Sequence, residues 1–145
     1  MLQTYTFQSA KPWPHLLVLW AIHGNEPCWT YAIHHVADLF HSWELQLLQW
    51  SVTMVPVCNP KAFAHNKRYI DHNLNRMFGV CPQDAYESSL VPELQTLIKQ
   101  SDMLIDLHSW PGLPEWFIFH DYDHPVIDQL IHHSQIKLVV SWRNL

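Results

Sequence analysis

Leu16-Leu-Val-Leu-Trp-Ala-Ile22 is an unbroken apolar run, closed by the turn His23-Gly-Asn-Glu26. A strand with one wet face alternates apolar and polar residues. A run without alternation predicts a strand covered on both faces, the pattern of a parallel sheet between helices. Beyond the turn, Pro27 suits a first helical position, and Trp29, Ile33, Val36, Ala37 and Phe40 recur at helical spacing. They predict a helix ending between Phe40 and Leu48. Ser51 to Val57 predicts a second strand stopped by Asn59-Pro60, which completes a β-α-β unit. Further along, the pattern predicts a helix over Pro92 to Gln100, a buried strand over Met103 to Leu107, and a strand over Glu115 to His120. A helix over Pro125 to His133 and a last strand over Ile136 to Val140 follow. Alternating strands and helices predict an α/β sandwich with a largely parallel sheet. From Asn59 to Val91 runs a long polar and aromatic connection of weak periodicity, and connections of that length in compact domains are commonly functional.

The chain has 145 residues, 48% apolar and 14% charged, which suits one ordinary globular domain. Its 3 Gly and 10 Pro follow no period, which excludes collagen-like and low-complexity classes. Lys and Arg number 8 against 13 Asp and Glu, a net charge of -5, and no basic run is present to track a phosphate backbone. Nucleic acid is therefore not expected as a partner. The longest apolar run falls far short of the roughly 20 residues of a membrane helix. It is preceded by Lys11, Pro12 and Pro14 and lacks a small-residue cleavage site. Cys28, Cys58 and Cys81 are odd in number with no C-x-x-C spacing, so no disulfide framework is expected. Together these features predict a soluble, cytoplasmic protein with no membrane partner.

Ligands of open α/β sheets bind beyond the carboxyl ends of the strands. Three polar clusters lie at such ends: His23-Gly24-Asn25-Glu26, Asn59-Pro60 with the long connection, and His108-Ser109. His23 and Glu26, three apart across a tight turn, can offer an imidazole nitrogen and a carboxylate oxygen to one metal ion. The spacing alone is weak, since His41 and Glu44 repeat it where a solvated helical contact is expected. The strand-end position, the intervening Gly24 and a third donor at His108 set the first pair apart. Two His and one Glu with an open fourth position form a catalytic zinc set. Asp106, two residues before His108, shares its side of the strand and is placed to orient a ligand. Arg68 and Arg76, two of the three Arg, suggest a small anionic ligand.

His23-Gly-Asn-Glu26, Asn59-Pro60-x-Ala62, Arg68-Tyr-Ile-Asp-His-Asn-Leu-Asn-Arg76-x-Phe78 and Asp106-Leu-His108 occur in that order within residues 16 to 109. Jointly they resemble the succinylglutamate desuccinylase and aspartoacylase family, zinc-dependent relatives of the zinc carboxypeptidases. The resemblance implies a carboxypeptidase-like, phosphorylase/hydrolase-like fold, a three-layer α/β sandwich with a mixed, largely parallel, twisted sheet. It implies that residues 1 to 145 form one catalytic domain, the N-terminal portion, with the sheet incomplete on its C-terminal side. It further implies that His23, Glu26 and His108 hold zinc, that Arg68 polarises the scissile carbonyl, and that Asn75 with Arg76 grips a substrate carboxylate. An Arg fork suits a carboxylate, and a cation beside the metal suits an oxyanion.

The expected reaction is hydrolysis of the amide bond of a small anionic N-acyl amino acid, N-succinylglutamate and N-acetylaspartate being family examples. A carboxypeptidase acting on peptide C-termini and a non-catalytic zinc or carboxylate binding module are the alternatives. Two departures from the family pattern matter. Asn73 stands where the family usually has Asp, which removes a charge at what is read as a substrate subsite. The family's general-base Glu lies well beyond the last zinc ligand, whereas the only Glu after His108 is Glu115, with Asp121, Asp123 and Asp128 no better placed. Loss of a positioned base typically costs about 100- to 10,000-fold in rate. An unpaired sheet edge would favour a homo-oligomer. Cys28 is expected as a buried thiol, and His34-His35 and His132-His133 as solvated helix residues. Trp110 and Trp116 are expected near the pocket or in the core.

Overall fold

A computed structural model of the chain describes residues 1–79, 82–109, 117–120, 124–136 and 138–141. Strand β1 spans Tyr5–Gln8, β2 His15–Leu19, β3 Ser51–Val55 and β4 Met103–Asp106, and they form one sheet in the order β1-β3-β2-β4. The central strand β2 is parallel to β3, with Leu19 opposite Val55, and parallel to β4, with Leu19 opposite Asp106. That register brings the carboxyl ends of all three strands to one edge of the sheet. The segments starting at Trp20, Pro56 and Leu107 therefore emerge side by side.

Period-two alternation along β2 produces two cores. Leu17 and Leu19 pack with Ile22, Val55, Leu74, Met77 and Leu94 on one face. Leu16 and Val18 pack on the other with Val52, Met54, Ile33 and Ala37. Helix α1 (Cys28–His41) covers the second face through Ile33 and Ala37, and α3 (Val91–Lys99) covers the first through Val91 and Leu94. The result is the helix, sheet, helix layering read from the sequence. Burying each Leu of this kind stabilises the fold by about 1.5–3 kcal/mol relative to leaving it exposed. Thr30 ties the start of α1 to the end of β3 by donating from Oγ1 to the Pro56 carbonyl at 3.2 Å.

Two features differ from the sequence pattern. Strand β1, unanticipated, pairs antiparallel with β3, Tyr5 lying opposite Met54, and makes the sheet mixed. Its four residues alternate half-buried and exposed, too short a period to register in a sequence. The long connection after Asn59 also holds helical turns: α2 (Pro60–Ala64) and two 3-10 helices, Leu74–Arg76 and Tyr86–Ser89. Each is about one turn, below the length at which apolar spacing shows, and side chains start two of them. Asn59 accepts from Ala62 N and Asn73 accepts from Asn75 N.

The chain divides into two compact units, Met1–Ser109 and Trp110–Leu145. In the second, β5 (Phe117–His120) and β6 (Leu138–Ser141) are parallel and are linked through α4 (Pro125–Ser134). Helix α4 starts at His124, whose Nδ1 accepts from Val126 N at 3.2 Å. It stops at Gln135, which adopts a left-handed φ of 60°. No helix among the described residues is long and apolar enough to cross a membrane. Glu115, Asp121, Asp123, Trp110, Trp116 and Cys81 lie outside the described residues.

Candidate metal centre

The turn after β2 is shaped by Gly24. A Cβ on that residue would lie 2.1 Å from the Ala62 carbonyl carbon and 2.2 Å from Phe63 N, so only glycine lets the turn rest on α2. Its amide donates to the Arg68 carbonyl at 3.3 Å, and Glu26 N closes the turn on the His23 carbonyl at 3.3 Å. His23 and Glu26 end up buried, each 3% exposed. From the end of β4, His108 reaches the same point.

His23, Glu26 and His108 form a cluster whose ligand atoms all lie within 4.8 Å of one another. His23 Nδ1 is 2.9 Å from Glu26 Oε1, and His108 Nδ1 is 3.3 Å from Glu26 Oε2. The far nitrogens have separate partners. His23 Nε2 donates to Asn73 Oδ1 at 3.0 Å, and His108 Nε2 donates to Asp106 Oδ2 at 2.8 Å. The Asn75 amide also donates to Asn73 Oδ1, at 3.1 Å, which marks that atom as the oxygen. Both acceptors fix a hydrogen on Nε2 and turn the Nδ1 lone pairs of both rings toward the Glu26 carboxylate.

Acceptors facing acceptors need a cation between them, whether protons or a metal ion. Two imidazoles and one carboxylate with oriented outer nitrogens are the donor set of a catalytic zinc ion, so these residues fit the group implied by the sequence motifs. The electrostatics agree. Burial works against the charge of Glu26, yet hydrogen bonds from His108, His23 and the Ser109 amide hold its pKa down to about 2. Burial likewise works to lower the His108 pKa, but Asp106 and Glu26 outweigh it and push it up to about 9. In the absence of a metal, His108 thus carries a proton at neutral pH.

The arginine-bearing segment borders this cluster unevenly. Arg68, half exposed, extends Nη1 to within 3.4 Å of Glu26 Oε1. Asn75 and Arg76 occupy the 3-10 helix that follows Asn73. Arg76 is exposed and donates from Nη1 to the Asn75 carbonyl at 3.0 Å. No hydrogen bond or ion pair among the described residues joins either side chain to the three-residue cluster. Asn73, read from the sequence as bearing on substrate, has its amide oxygen engaged by His23 and Asn75 N instead.

Other expectations divide. Cys28 is exposed rather than buried, because the first turn of α1 projects it off the sheet side, whereas Cys58 is fully buried and burial pushes its thiol pKa up. Neither thiol is paired. His132, His133 and His35 are exposed, as expected. His34 is half-buried, and its Nδ1 lies 2.8 Å from the Tyr5 hydroxyl. His41 and Glu44 are both exposed, and Glu44 lies past the end of α1, where it accepts from Ser42 Oγ. Glu87, fully buried beneath the arginine-bearing segment, carries no sequence signal of its role, since its backbone partners lie 15 to 17 residues earlier in the chain and Asn59 lies 28 earlier.

Residues 12–128 match the family model of the succinylglutamate desuccinylase/aspartoacylase catalytic domain. The chain belongs to this family. The N-acyl-aromatic-L-amino acid amidohydrolase (carboxylate-forming) of Rattus norvegicus is 34% identical over 114 residues, which are 70% of this chain and 35% of that protein. Succinylglutamate desuccinylase from Vibrio cholerae superposes with a TM-score of 0.76 at 22% identity, over 92% of this chain and 43% of that one. A metallo-carboxypeptidase from Burkholderia cenocepacia gives a TM-score of 0.74 at 15% identity, over 96% of this chain and 44% of that one. The last two likenesses establish the carboxypeptidase-like fold that the motifs implied. The chain spans about a third of the length of the curated relatives it matches.

Proposed function

We propose that the chain carries the zinc site and part of the substrate site of an amidohydrolase that removes the acyl group from a small, anionic N-acyl amino acid. The observation that carries this reading is the cluster of His23, Glu26 and His108, in which two oriented imidazoles face one buried carboxylate. The name of the rat relative, at 34% identity, supports an N-acyl amino acid as the substrate class. Zinc, when bound, supplies Lewis acidity toward water and the amide carbonyl.

This chain's own groups do the rest. Arg68, beside Glu26, presents a permanent cation where negative charge develops on the carbonyl oxygen. Asn75 and Arg76 hold the substrate carboxylate, for which the exposed guanidinium fork of Arg76 is suited. Asn73 and Asp106 keep the imidazoles in the tautomer that offers Nδ1. The unpaired thiols of Cys28 and Cys58 suit a reducing, cytoplasmic setting.

Metal analysis together with hydrolysis of a panel of N-acetyl and N-succinyl amino acids, aromatic and acidic, tests the reading. One zinc per chain and turnover of at least one panel member support it. A zinc-replete sample that hydrolyses none of them refutes the catalytic part, and a sample that binds no zinc refutes it entirely.

A further inference from the structure

Among the described residues only two carboxylates are buried, Glu26 and Glu87. Glu26 belongs to the metal cluster. Glu87, in the 3-10 helix Tyr86–Ser89, is fully buried and forms no ion pair among the described residues. A buried carboxylate is costly unless every lone pair is engaged, and here backbone amides engage them. Oε1 accepts from Ile70 N at 2.7 Å and from Asn59 Nδ2 at 3.2 Å. Oε2 accepts from Asp71 N at 3.1 Å and from His72 N at 3.2 Å. Three successive amides converging on one anion make the concave backbone arrangement that elsewhere binds phosphate, with the anion supplied by the chain itself. Asp71 returns the contact, its Oδ2 accepting from Tyr86 N at 2.8 Å.

The clamped amides stand between Arg68, which reaches Glu26, and Asn73, which orients His23. The fourth donor links Glu87 to the opposite wall. Asn59, itself fully buried, uses Oδ1 to cap α2 through Ala62 N at 3.2 Å, and α2 is the surface on which the Gly24 turn rests. One carboxylate thus fastens both the segment that brings Arg68 and Asn73 and the helix under His23 and Glu26.

We propose that Glu87 is a positioning residue of the metal centre: its clamp on Ile70, Asp71 and His72 sets where Asn73 meets His23 and where Arg68 meets Glu26. The metal half of this inference rests on the zinc reading given above. The clamp itself does not. Burial opposes the charge of Glu87, but the amide and Asn59 donors outweigh it and lower its pKa, so the carboxylate is ionised at neutral pH.

Glu87→Gln separates positioning from bulk stability, because it keeps the shape while turning an NH2 group toward amides that need an acceptor. Amide hydrogen exchange by NMR and zinc affinity by competition with a chromophoric chelator are measured on the full chain. The expected result is a loss of protection of about tenfold or more at Ile70, Asp71 and His72, with strand amides of β2 and β3 unchanged. Zinc affinity falls by about 10- to 100-fold, the usual effect of disturbing groups that orient metal ligands. Glu93→Gln, which alters a carboxylate that accepts from Leu2 N, leaves both readings as in the wild type. Equal loss of protection across the sheet, or loosened amides with unchanged zinc affinity, overturns the proposal. Should Glu87→Gln not fold, the wild type decides, because unprotected amides at residues 70–72 contradict a clamp. A wild type that binds no zinc counts against the zinc reading, while the exchange data still judge the clamp.

Discussion

Replacing Gly24 by alanine adds one methyl group at the point where the His23–Glu26 turn meets α2. That methyl would sit 2.1 Å from the Ala62 carbonyl carbon, 2.2 Å from Phe63 N and 2.5 Å from the Ala62 oxygen. Non-bonded carbon contacts lie at about 3.5–4.0 Å, so the turn and the helix must part by more than an ångström. Every obstructing atom is backbone, and no flexible side chain can swing aside. Helix α2 is also held in place, with Ala62 N on Asn59 Oδ1 at 3.2 Å and the Ala62 carbonyl accepting from Lys67 N at 2.9 Å. Overpacking typically costs about 1–3 kcal/mol, and an immovable backbone puts this case near about 3 kcal/mol. The same displacement carries His23 and Glu26 away from His108 and strains the Gly24 to Arg68 hydrogen bond, so zinc affinity falls by about tenfold or more. Urea unfolding of Gly24→Ala and chelator competition measure the two effects. An unchanged unfolding midpoint with unchanged zinc affinity would refute the argument from packing.

Three further outcomes follow from the site. Because His108 in the metal-free protein holds its proton up to a pKa of about 9, zinc must displace that proton at neutral pH. Apparent affinity therefore rises by about tenfold per pH unit between about pH 7 and 8.5, with about one proton released per zinc in calorimetry across buffers of different ionisation enthalpy; a pH-independent affinity contradicts this. Arg68→Ala removes the cation placed for the developing oxyanion, and the rate of N-acyl amino acid hydrolysis drops by about 100- to 1,000-fold with zinc content unchanged, as single-turnover kinetics and metal analysis will show. Asn73→Asp puts a carboxylate against His23 Nε2 in place of a neutral amide, which raises the basicity of the imidazole. Its zinc affinity, measured by the same chelator competition, increases by about tenfold, and a decrease contradicts the orienting role.

The parts of the fold that rest on burial were legible in the sequence. Leu16 to Ile22 is apolar without alternation because both faces of β2 lie between layers. Met103 to Leu107, read as a buried strand, instead forms β4 at the end of the sheet order, where half-buried and exposed residues alternate and Leu104 is 46% exposed. Ile33 and Ala37 repeat at helical spacing because one side of α1 meets the sheet. Strand β1 escaped notice because four residues with two half-buried positions carry too little pattern. Helices α2, Leu74–Arg76 and Tyr86–Ser89 escaped for a related reason, being single turns held by side-chain caps and by Glu87 rather than by an apolar stripe. At the site, His23, Glu26 and His108 were readable because strand ends and a glycine turn locate them. The contacts of Asn73 with His23 and of Glu87 with residues 70–72 were not, since the first joins positions 50 apart and no local spacing encodes such an approach. The exposure of Cys28 likewise depends on which way the first turn of α1 faces, which its neighbours in sequence leave open.

Zinc-edge anomalous diffraction from crystals grown with zinc tests the centre most directly. The account predicts one strong peak at about 2.0–2.2 Å from His23 Nδ1, a Glu26 oxygen and His108 Nδ1. A peak held by other residues, or no peak at this turn in zinc-loaded crystals, would contradict it.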